Sequence, residues 1–255
     1  MIEIKDKGII ISSIPFQEKF LIVKCFSENH GVISGLVRVN KKKNDTILGN
    51  IASFYWKARL NEQLGYLKLE ILHYTLSQIM LQSSKVAILN SAVSILKTIL
   101  KEREINKPVF TETQELLYNI CSVEDIIENY KAYIHFEAKL LNSCGYGLDW
   151  SKCAVTNSKD KIRYISPKTG NAVTQEVGEK YKDKLFELPK FLTDNSIKAD
   201  MASIMTVLKI MGYFIEKHLF SPHHLTMPKA RNLLISCKIF SYFSTSFFLF
   251  YPLLI

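Results

Sequence analysis

The residues with the clearest chemical meaning are cations that cluster between positions 38 and 59. Six basic side chains occur there against a single acid, Asp45. They are Arg38, Lys41, Lys42, Lys43, Lys57 and Arg59. An excess of positive charge attracts polyanions such as nucleic acids, whereas a lysine run alone is also typical of a solvated surface. The choice between these interpretations depends on the elements that position the side chains.

The overall composition indicates a folded globular chain. Of 255 residues, 47% are hydrophobic and 22% are charged, and 33 Lys and Arg against 24 Asp and Glu give a net charge of +9. These values exclude wholesale disorder and a polytopic membrane protein.

The five cysteines are widely spaced without a C-x-x-C pair, and the charged N-terminus is unlike a signal peptide. We therefore expect a cytoplasmic protein.

The first 75 residues show the alternation of β-strands. Five segments have this pattern: Gly8–Ile14, Phe20–Cys25, Val32–Val39, Ala52–Leu60 and Tyr66–Leu72. Five short strands at regular spacing predict a small closed barrel of the OB-fold type over residues 1–76. Gly35, inside the third strand, predicts a bend or a bulge.

The fourth predicted strand carries a basic and aromatic face. Its apolar positions include Phe54 and Trp56, and they alternate with Tyr55, Lys57 and Arg59. The latter three side chains should therefore project outward, and the loop with Lys41, Lys42 and Lys43 should join strands three and four. Cations beside an aromatic ring suit single-stranded nucleic acid, because phosphates need positive charge and unpaired bases offer π-faces. Tyr55 is our candidate for stacking on a base.

From Ser77 the apolar period changes to that of α-helices. Residues 146–190 are less periodic and contain several Gly and Pro breakers, which predicts an irregular segment. The predicted helices are Val86–Leu100, one that begins at Pro108, one that begins behind a Ser122/Asp125 capping signal and ends at Gly145, and Ile197–Leu219. The predicted fold class is thus α+β: the five-stranded OB-fold barrel, an all-α helical domain over 77–235, and an apolar tail over 236–255.

Motifs for catalysis and metal binding are missing from the sequence. It contains no Walker A sequence and no H-E-x-x-H. His223 and His224 are adjacent without a nearby carboxylate or thiol, and acids such as Glu70 and Glu137 have no evident second group. We expect no catalytic residues, no cofactor and no metal site.

Several short motifs, in their order and spacing, resemble a known family. The N-terminal motifs are Gly8-Ile-Ile-Ile, Pro15-Phe-Gln-Glu18, Ile22-Val23, His30-Gly31, Gly35-Leu-Val-Arg38 and Trp56-Lys-Ala-Arg-Leu-Asn-Glu-Gln-Leu-Gly65. The later ones are Gly145-Tyr-Gly-Leu-Asp149, Cys153-Ala-Val-Thr156, Tyr164-Ile-Ser-Pro-Lys-Thr-Gly170 and Ala172-Val173. Together they resemble the bacterial DNA repair protein family RecO (recombination protein O), in its alphaproteobacterial form, from about residue 3 to Leu234.

The resemblance implies an OB-fold followed by a helical domain. It also implies binding of single-stranded and double-stranded DNA and annealing of complementary strands. The implied protein partners are RecR and the C-terminal tail of single-stranded DNA-binding protein, with a role in loading the recombinase RecA in the RecF pathway. The implied location is the cytoplasm, in association with the nucleoid.

The sequence departs from the family pattern at two places that bear on the site. Some members carry a four-cysteine zinc module, but here only Cys153 of the first pair is present, because Thr156 occupies the second position. No cysteine follows near residues 166–173, so we predict that zinc is not bound. The loop after Arg38 is shorter than usual and has Asn40 in place of a glycine, which leaves the individual DNA contacts open.

The C-terminal tail differs from the family altogether. Residues Ile239–Ile255 form 17 consecutive positions without a charge, which borders on the length that spans a bilayer. A membrane anchor, a terminal helix that continues the core and a degenerate extension are the alternatives. Ser241, Ser244, Thr245 and Ser246 weaken the membrane interpretation and Pro252 would break a late helix, so membrane insertion is not expected.

Three functional hypotheses remain open from the sequence. The leading one is a non-enzymatic mediator that binds and anneals DNA through its basic barrel. The second is an adaptor whose helical domain binds an acidic, hydrophobic peptide tail, with rim cations such as Lys152, Arg163 or Lys168. The third is a tail-anchored basic membrane protein.

Overall fold

The computed structural model describes residues 1–39, 45–60, 64–194 and 196–236. Five strands at the N-terminal end close into a barrel in the order β1-β2-β3-β5-β4. Neighbouring strands are antiparallel except β3 and β5, which run parallel where the barrel closes. The strands are β1 (Ile2–Phe16), β2 (Phe20–Ser27), β3 (Gly31–Arg38), β4 (Ile51–Ala58) and β5 (Gly65–His73). The topology confirms the predicted OB-fold barrel.

The barrel interior is filled around Trp56. This side chain is fully buried, and its indole N–H donates a hydrogen bond to the Ser34 carbonyl at 2.9 Å. The inner residues are Ile10, Val23, Cys25, Ile33, Phe54, Trp56 and Leu67. A Cβ on Gly65 would lie 2.5 Å from the Trp56 ring, and one on Gly35 would lie 2.7 Å from Leu67. Glycine therefore lets β3 and β5 approach each other where they close the barrel.

Gly35 does not mark a bulge, contrary to the sequence expectation. The pairing of β2 with β3 continues through this position without a shift of register. The register of the barrel shifts instead on β1, between Ile10 and Ser12, and in the pairing of β4 with β5, between Ile51 and Ala52. Close packing of the backbone, which a glycine also signals in a strand, explains Gly35 instead.

The first strand is longer than predicted. It begins at Ile2, and its first half pairs with β4 from Ile2 opposite Ala58 to Ile9 opposite Ile51. The prediction began at Gly8 because the charges at Glu3, Lys5 and Lys7 obscured the apolar signal. These charged residues alternate along the strand with residues that face the barrel interior. The Lys5 side chain therefore lies on the outside of the barrel.

The helical domain begins directly after the barrel. Its α-helices are α1 (Thr75–Ile79), α2 (Ser83–Ile99), α3 (Lys107–Ser122), α4 (Ile126–Ser143), α5 (Gln175–Gly178), α6 (Met201–Ile215) and α7 (Lys229–Ile235). Residues 146–190 are not wholly irregular, because they contain a small sheet of β6 (Ile162–Ile165), β7 (Ala172–Thr174) and β8 (Phe186–Glu187) in the order β7-β6-β8. Strands of four, three and two residues are too short to show a period in the sequence.

Three predicted helix starts differ from the structure, and the first is that of α2, which begins at Ser83 rather than at Val86. Ser122 is not the N-cap of α4 but the last residue of α3, and its hydroxyl donates to the Tyr118 carbonyl at 2.9 Å. Asp125 caps α4 by accepting from the Ile127 amide at 2.8 Å. The late helix begins at Met201 rather than at Ile197, because Asp200 and Ser203 form a reciprocal capping box.

The barrel is docked firmly on the helices. Phe26 on β2 and Phe110 on α3 meet edge to face at 5.6 Å within one continuous apolar core. The segment between α2 and α3 adds polar contacts, since Glu102 accepts from Lys24 at 2.8 Å and from the Ser34 hydroxyl at 2.6 Å. The two domains therefore share a packed interface that fixes which side of the barrel is free.

A buried ion pair joins the helices of the second domain. Arg231 on α7 donates through Nε and Nη2 to the two oxygens of Glu137 on α4, both at 3.0 Å, and also to the Leu208 carbonyl at 2.6 Å. Tyr133 donates to Glu137 at 2.7 Å and contacts the Ser91 hydroxyl at 2.6 Å. Glu137 is thus a paired structural acid, and the sequence expectation that it lacks a second group is wrong.

Loss of this pair should destabilise the protein strongly. Replacing Arg231 by Met leaves the Glu137 carboxylate buried without its cation, since the two side chains are only 1% and 0% exposed. We expect urea unfolding to show a loss of about 3–5 kcal/mol. As a control, Arg163→Met removes an exposed pair with Glu187 at 2.9 Å and should cost less than about 1 kcal/mol. Equal losses of unfolding free energy in the two variants would contradict the stabilising role of the buried Arg231–Glu137 pair.

Candidate nucleic-acid interface

Two rows of side chains cross the barrel surface on β3, β5, β4 and β1. In the first row, Leu36 lies opposite Tyr66, which lies opposite Lys57, which lies opposite Glu3. In the second row, Lys68 lies opposite Tyr55, which lies opposite Lys5. We call these seven residues together the outer face. Directly opposed residues point to the same side of a sheet, so each row presents its side chains together.

The second row combines two cations with one aromatic ring. The Lys5 ammonium lies 5.7 Å from the centre of the Tyr55 ring, a cation–π distance. Lys68 is exposed on the other side of Tyr55. Lys5, Tyr55 and Lys68 line a shallow depression of about 470 Å³ together with Ser53 and Glu70. This geometry places positive charge on both sides of an aromatic surface.

The first row contains an acid that partly offsets its cation. Glu3 forms an ion pair with Lys57 at 2.8 Å and also accepts a hydrogen bond from the Tyr55 hydroxyl. These contacts lower the pKa of Glu3 and raise the pKa values of Lys57 and Tyr55. A polyanion that binds Lys57 must therefore compete with the Glu3 carboxylate.

The remaining predicted site residues lie at the edges of the outer face or beyond the described part of the chain. Arg38 is the exposed last residue of β3, opposite Phe20 on β2. Arg59 is exposed directly after β4. Lys41, Lys42 and Lys43 lie outside the described residues. The structure thus places Arg38 on β3 and Tyr55 and Lys57 on β4, with β5 between these two strands.

Sequence reasoning missed five of the seven residues of the outer face: Glu3, Lys5, Leu36, Tyr66 and Lys68. Lys5 was missed because the first half of β1 was not recognised as a strand. Tyr66 and Lys68 showed the correct alternation with Leu67, but nothing in the sequence said that β5 lies between β3 and β4. That placement comes from the parallel closure of β3 on β5.

Asp6 on β1 fixes the turn between β2 and β3. Its carboxylate accepts hydrogen bonds from the Asn29 amide at 2.8 Å, from the Asn29 side chain at 2.9 Å and from the Ser27 hydroxyl. His30 Nδ1 lies 2.9 Å from it. Burial alone would raise the pKa of Asp6, but these hydrogen bonds outweigh burial and lower it to about 2. The ionised form therefore stabilises the attachment of β1 to the β2–β3 turn.

The sulfur of Cys153 is held by hydrogen-bond donors and not by a cluster of metal ligands. Cys153 is buried, and the Thr174 amide donates to its sulfur at 3.4 Å. Burial raises the pKa of this thiol, but donors from Thr156, Thr174 and Val155 lower it to about 6 overall. Across residues 1–39, 45–60, 64–194 and 196–236, no group of three or more His, Cys, Asp or Glu side chains is arranged to hold a metal. The residues around Cys153 do not fit a four-cysteine zinc module.

Within the described ranges, none of the helices has the length and apolar character needed to cross a bilayer. The apolar tail, Ile239–Ile255, lies outside the described residues, so the tail hypothesis stays a prediction.

Comparisons with known proteins cover both domains. The family model described as "Recombination protein O N terminal" matches residues 1–75, and "Recombination protein O C terminal" matches residues 80–226. The chain is 36% identical to the DNA repair protein RecO of Rickettsia bellii (strain OSU 85-389) over 236 residues, which cover 91% of this chain and 95% of that protein.

Two further relatives have the same name. The DNA repair protein RecO of Rickettsia canadensis (strain McKiel) is 38% identical over 219 residues, covering 85% of this chain and 89% of that protein. The one from Rickettsia conorii (strain ATCC VR-613 / Malish 7) is 34% identical over 236 residues, covering 91% and 96%. The matches extend over nearly the full length of these proteins.

The fold defines a class of proteins in which an OB-fold barrel is joined to a helical domain. Within that class, the chain belongs to the recombination protein O family of DNA repair proteins. The resemblance deduced from the sequence motifs is thereby confirmed.

Removal of the Asp6 charge should change the acid stability of the protein. The folded-state pKa of about 2 lies below the unfolded value, so ionised Asp6 contributes stability above about pH 4 that is lost as the pH falls toward 2. Asp6→Asn should cost about 2 kcal/mol at pH 7 and much less at pH 2, as measured by urea unfolding across pH.

The exposed Asp160 provides the matched control. Asp160→Asn should leave the pH dependence of unfolding as in the wild-type protein. A cost of Asp6→Asn that stays constant between pH 7 and pH 2 would contradict the role of its charge.

Proposed function

We propose that the protein is a non-enzymatic mediator of DNA repair that binds single-stranded and double-stranded DNA on the outer face and anneals complementary strands. The observation that carries the proposal is the row of Lys68, Tyr55 and Lys5, in which two cations flank an aromatic ring. Family membership supports the role in repair. The net charge of +9 supports a polyanionic ligand.

The proposed mechanism makes and breaks no covalent bond. Lysine and arginine side chains neutralise phosphates and release the counterions condensed on DNA, which supplies sequence-independent affinity. A cationic surface that holds one strand also reduces its repulsion from a second strand, so complementary strands can meet and pair. The Glu3 carboxylate at Lys57 competes with phosphate and keeps this contact reversible.

Further partners belong to the same proposal. We infer that the protein pairs with RecR, binds the C-terminal tail of single-stranded DNA-binding protein and helps load the recombinase in the RecF pathway, as a cytoplasmic protein associated with the nucleoid. Family membership supports these inferences. The predicted contacts of Lys41, Lys42 and Lys43 with phosphate are part of the proposal as well.

Binding of a fluorescent dT oligomer, titrated over a range of salt concentrations, tests the proposed site. Lys5→Gln combined with Lys68→Gln removes two cations of the outer face and should flatten the slope of log K against log salt by about 1.4, at roughly 0.7 per phosphate contact. Replacing Lys41, Lys42 and Lys43 together by Ala should flatten it by up to about 2.1.

Two exposed lysines of the helical domain provide the control, since Lys180 and Lys184 lie outside the barrel. Lys180→Gln combined with Lys184→Gln removes the same charge and should leave the slope unchanged. If this control flattens the slope as much as the Lys5/Lys68 variant, bulk charge rather than the outer face binds the DNA.

An apolar groove in the helical domain supports the second candidate function, an adaptor for an acidic and hydrophobic peptide tail. Trp150, Phe191 and Leu192 line this groove of about 290 Å³ together with Ile134, Ala138 and Ile197. Its basic residues are Lys131 and His135 on α4. Lys152, Arg163 and Lys168, the rim cations considered from the sequence, do not line it.

Trp150 offers a direct signal for peptide binding. The other tryptophan, Trp56, is fully buried in the barrel, so a change in emission on adding an acidic tail peptide should report the groove. Ala138→Phe should fill the groove and weaken peptide binding at least tenfold, whereas Lys5→Gln with Lys68→Gln should leave peptide binding unchanged. Unaltered affinity in Ala138→Phe would remove this groove as the peptide site.

A further inference from the structure

An aromatic pair of one exposed ring, Tyr66, and one half-buried ring, Phe20, lies at the edge of the outer face. Phe20 on β2 and Tyr66 on β5 reach toward each other across β3, with ring centres 6.3 Å apart and an edge-to-face angle of 62°. Tyr66 is 65% exposed although it follows Gly65 at the start of a strand whose other side packs in the barrel. An aromatic ring kept this open is not part of the core.

Cations flank both rings. Arg38 lies opposite Phe20 on the neighbouring strand, and Lys57 lies opposite Tyr66. Leu36, the partner of Tyr66 on β3, and Ile22 on β2 add half-buried apolar surface between the rings. The pair therefore combines exposed π-surface, apolar support and positive charge on both sides.

We propose that Phe20 and Tyr66 form the subsite for an unpaired nucleobase, with Arg38 and Lys57 binding the adjoining phosphates. This inference rests on the proposed function and deepens it, because it assigns the preference for single strands to particular residues. An unpaired base offers a free face for stacking on Tyr66. In a duplex both faces of each base are already stacked on neighbouring bases, so only the phosphate contacts remain.

Tyr55 is less suited than Tyr66 to stacking on an unpaired base. The Tyr55 hydroxyl is hydrogen-bonded to Glu3, and its ring lies beneath the Lys5 ammonium. Tyr55 is also only half-exposed, whereas Tyr66 has most of its surface free. The geometry therefore moves the stacking position from the tyrosine chosen in the sequence to its neighbour on β5.

Fluorescence of a substituted ring tests the subsite in the full-length protein. Tyr66→Trp should be quenched by a dT oligomer and not by a duplex of the same length, because stacking on an unpaired base quenches indole emission. Tyr181→Trp is the matched control, since Tyr181 in the helical domain is 59% exposed. Its emission should not respond to the oligomer.

Affinity measurements complete the test. Tyr66→Ala should weaken dT binding about 5- to 100-fold, Tyr66→Phe should retain it, and duplex binding should change less than about twofold in both. Unquenched Tyr66→Trp, or equal losses for single-stranded and duplex DNA in Tyr66→Ala, would overturn the subsite. If the wild-type protein binds neither DNA at low salt, the proposed function itself fails, which is a separate result.

Discussion

The packing of Trp56 inside the small barrel is the constraint on which the outer face depends. The indole fills the interior and is fixed to the Ser34 carbonyl, and Gly35 and Gly65 give it room where β3 meets β5. A filled interior forces alternate residues of each strand outward. Lys5, Tyr55, Lys57, Tyr66 and Lys68 therefore lie side by side on the outside of the barrel as a consequence of core packing.

The helical domain decides which part of the barrel stays accessible. Phe110 packs against Phe26. Glu102 pairs with Lys24 on β2 and accepts a hydrogen bond from the Ser34 hydroxyl on β3. Lys7 is turned toward the helices, with its ammonium 5.7 Å from the Phe110 ring. Lys24 and Lys7 thus contact the helical domain, whereas Lys68 on β5 is exposed and Lys57 on β4 is half-exposed and paired with Glu3.

Much of this fold could be predicted from the sequence, because alternation along β4 and the 3.6-residue period along α2 are strong signals. Other features depend on contacts between distant segments. The parallel pairing of Gly35 with Gly65 inserts β5 between β3 and β4, and the pairing of Glu137 with Arg231 joins residues 94 positions apart. Local patterns contain no information on either contact.

The sequence predicted a basic and aromatic site on the barrel, but it did not identify all the residues of the outer face. The sequence identified Tyr55 and Lys57 through the period-two pattern of β4, but it could not show that Glu3 pairs with Lys57. It also left out Tyr66, because exposure of an aromatic residue follows from the barrel geometry rather than from residue type. Register across strands supplied the missing residues.

The central claim is that DNA lies on the outer face of the barrel. Photocrosslinking of a single-stranded oligonucleotide to the intact protein, followed by peptide mapping, tests it most directly. The account predicts crosslinked peptides from β4 and β5, with attachment at Tyr66 or Tyr55. Crosslinks confined to the helical domain, between residues 75 and 236, would contradict it.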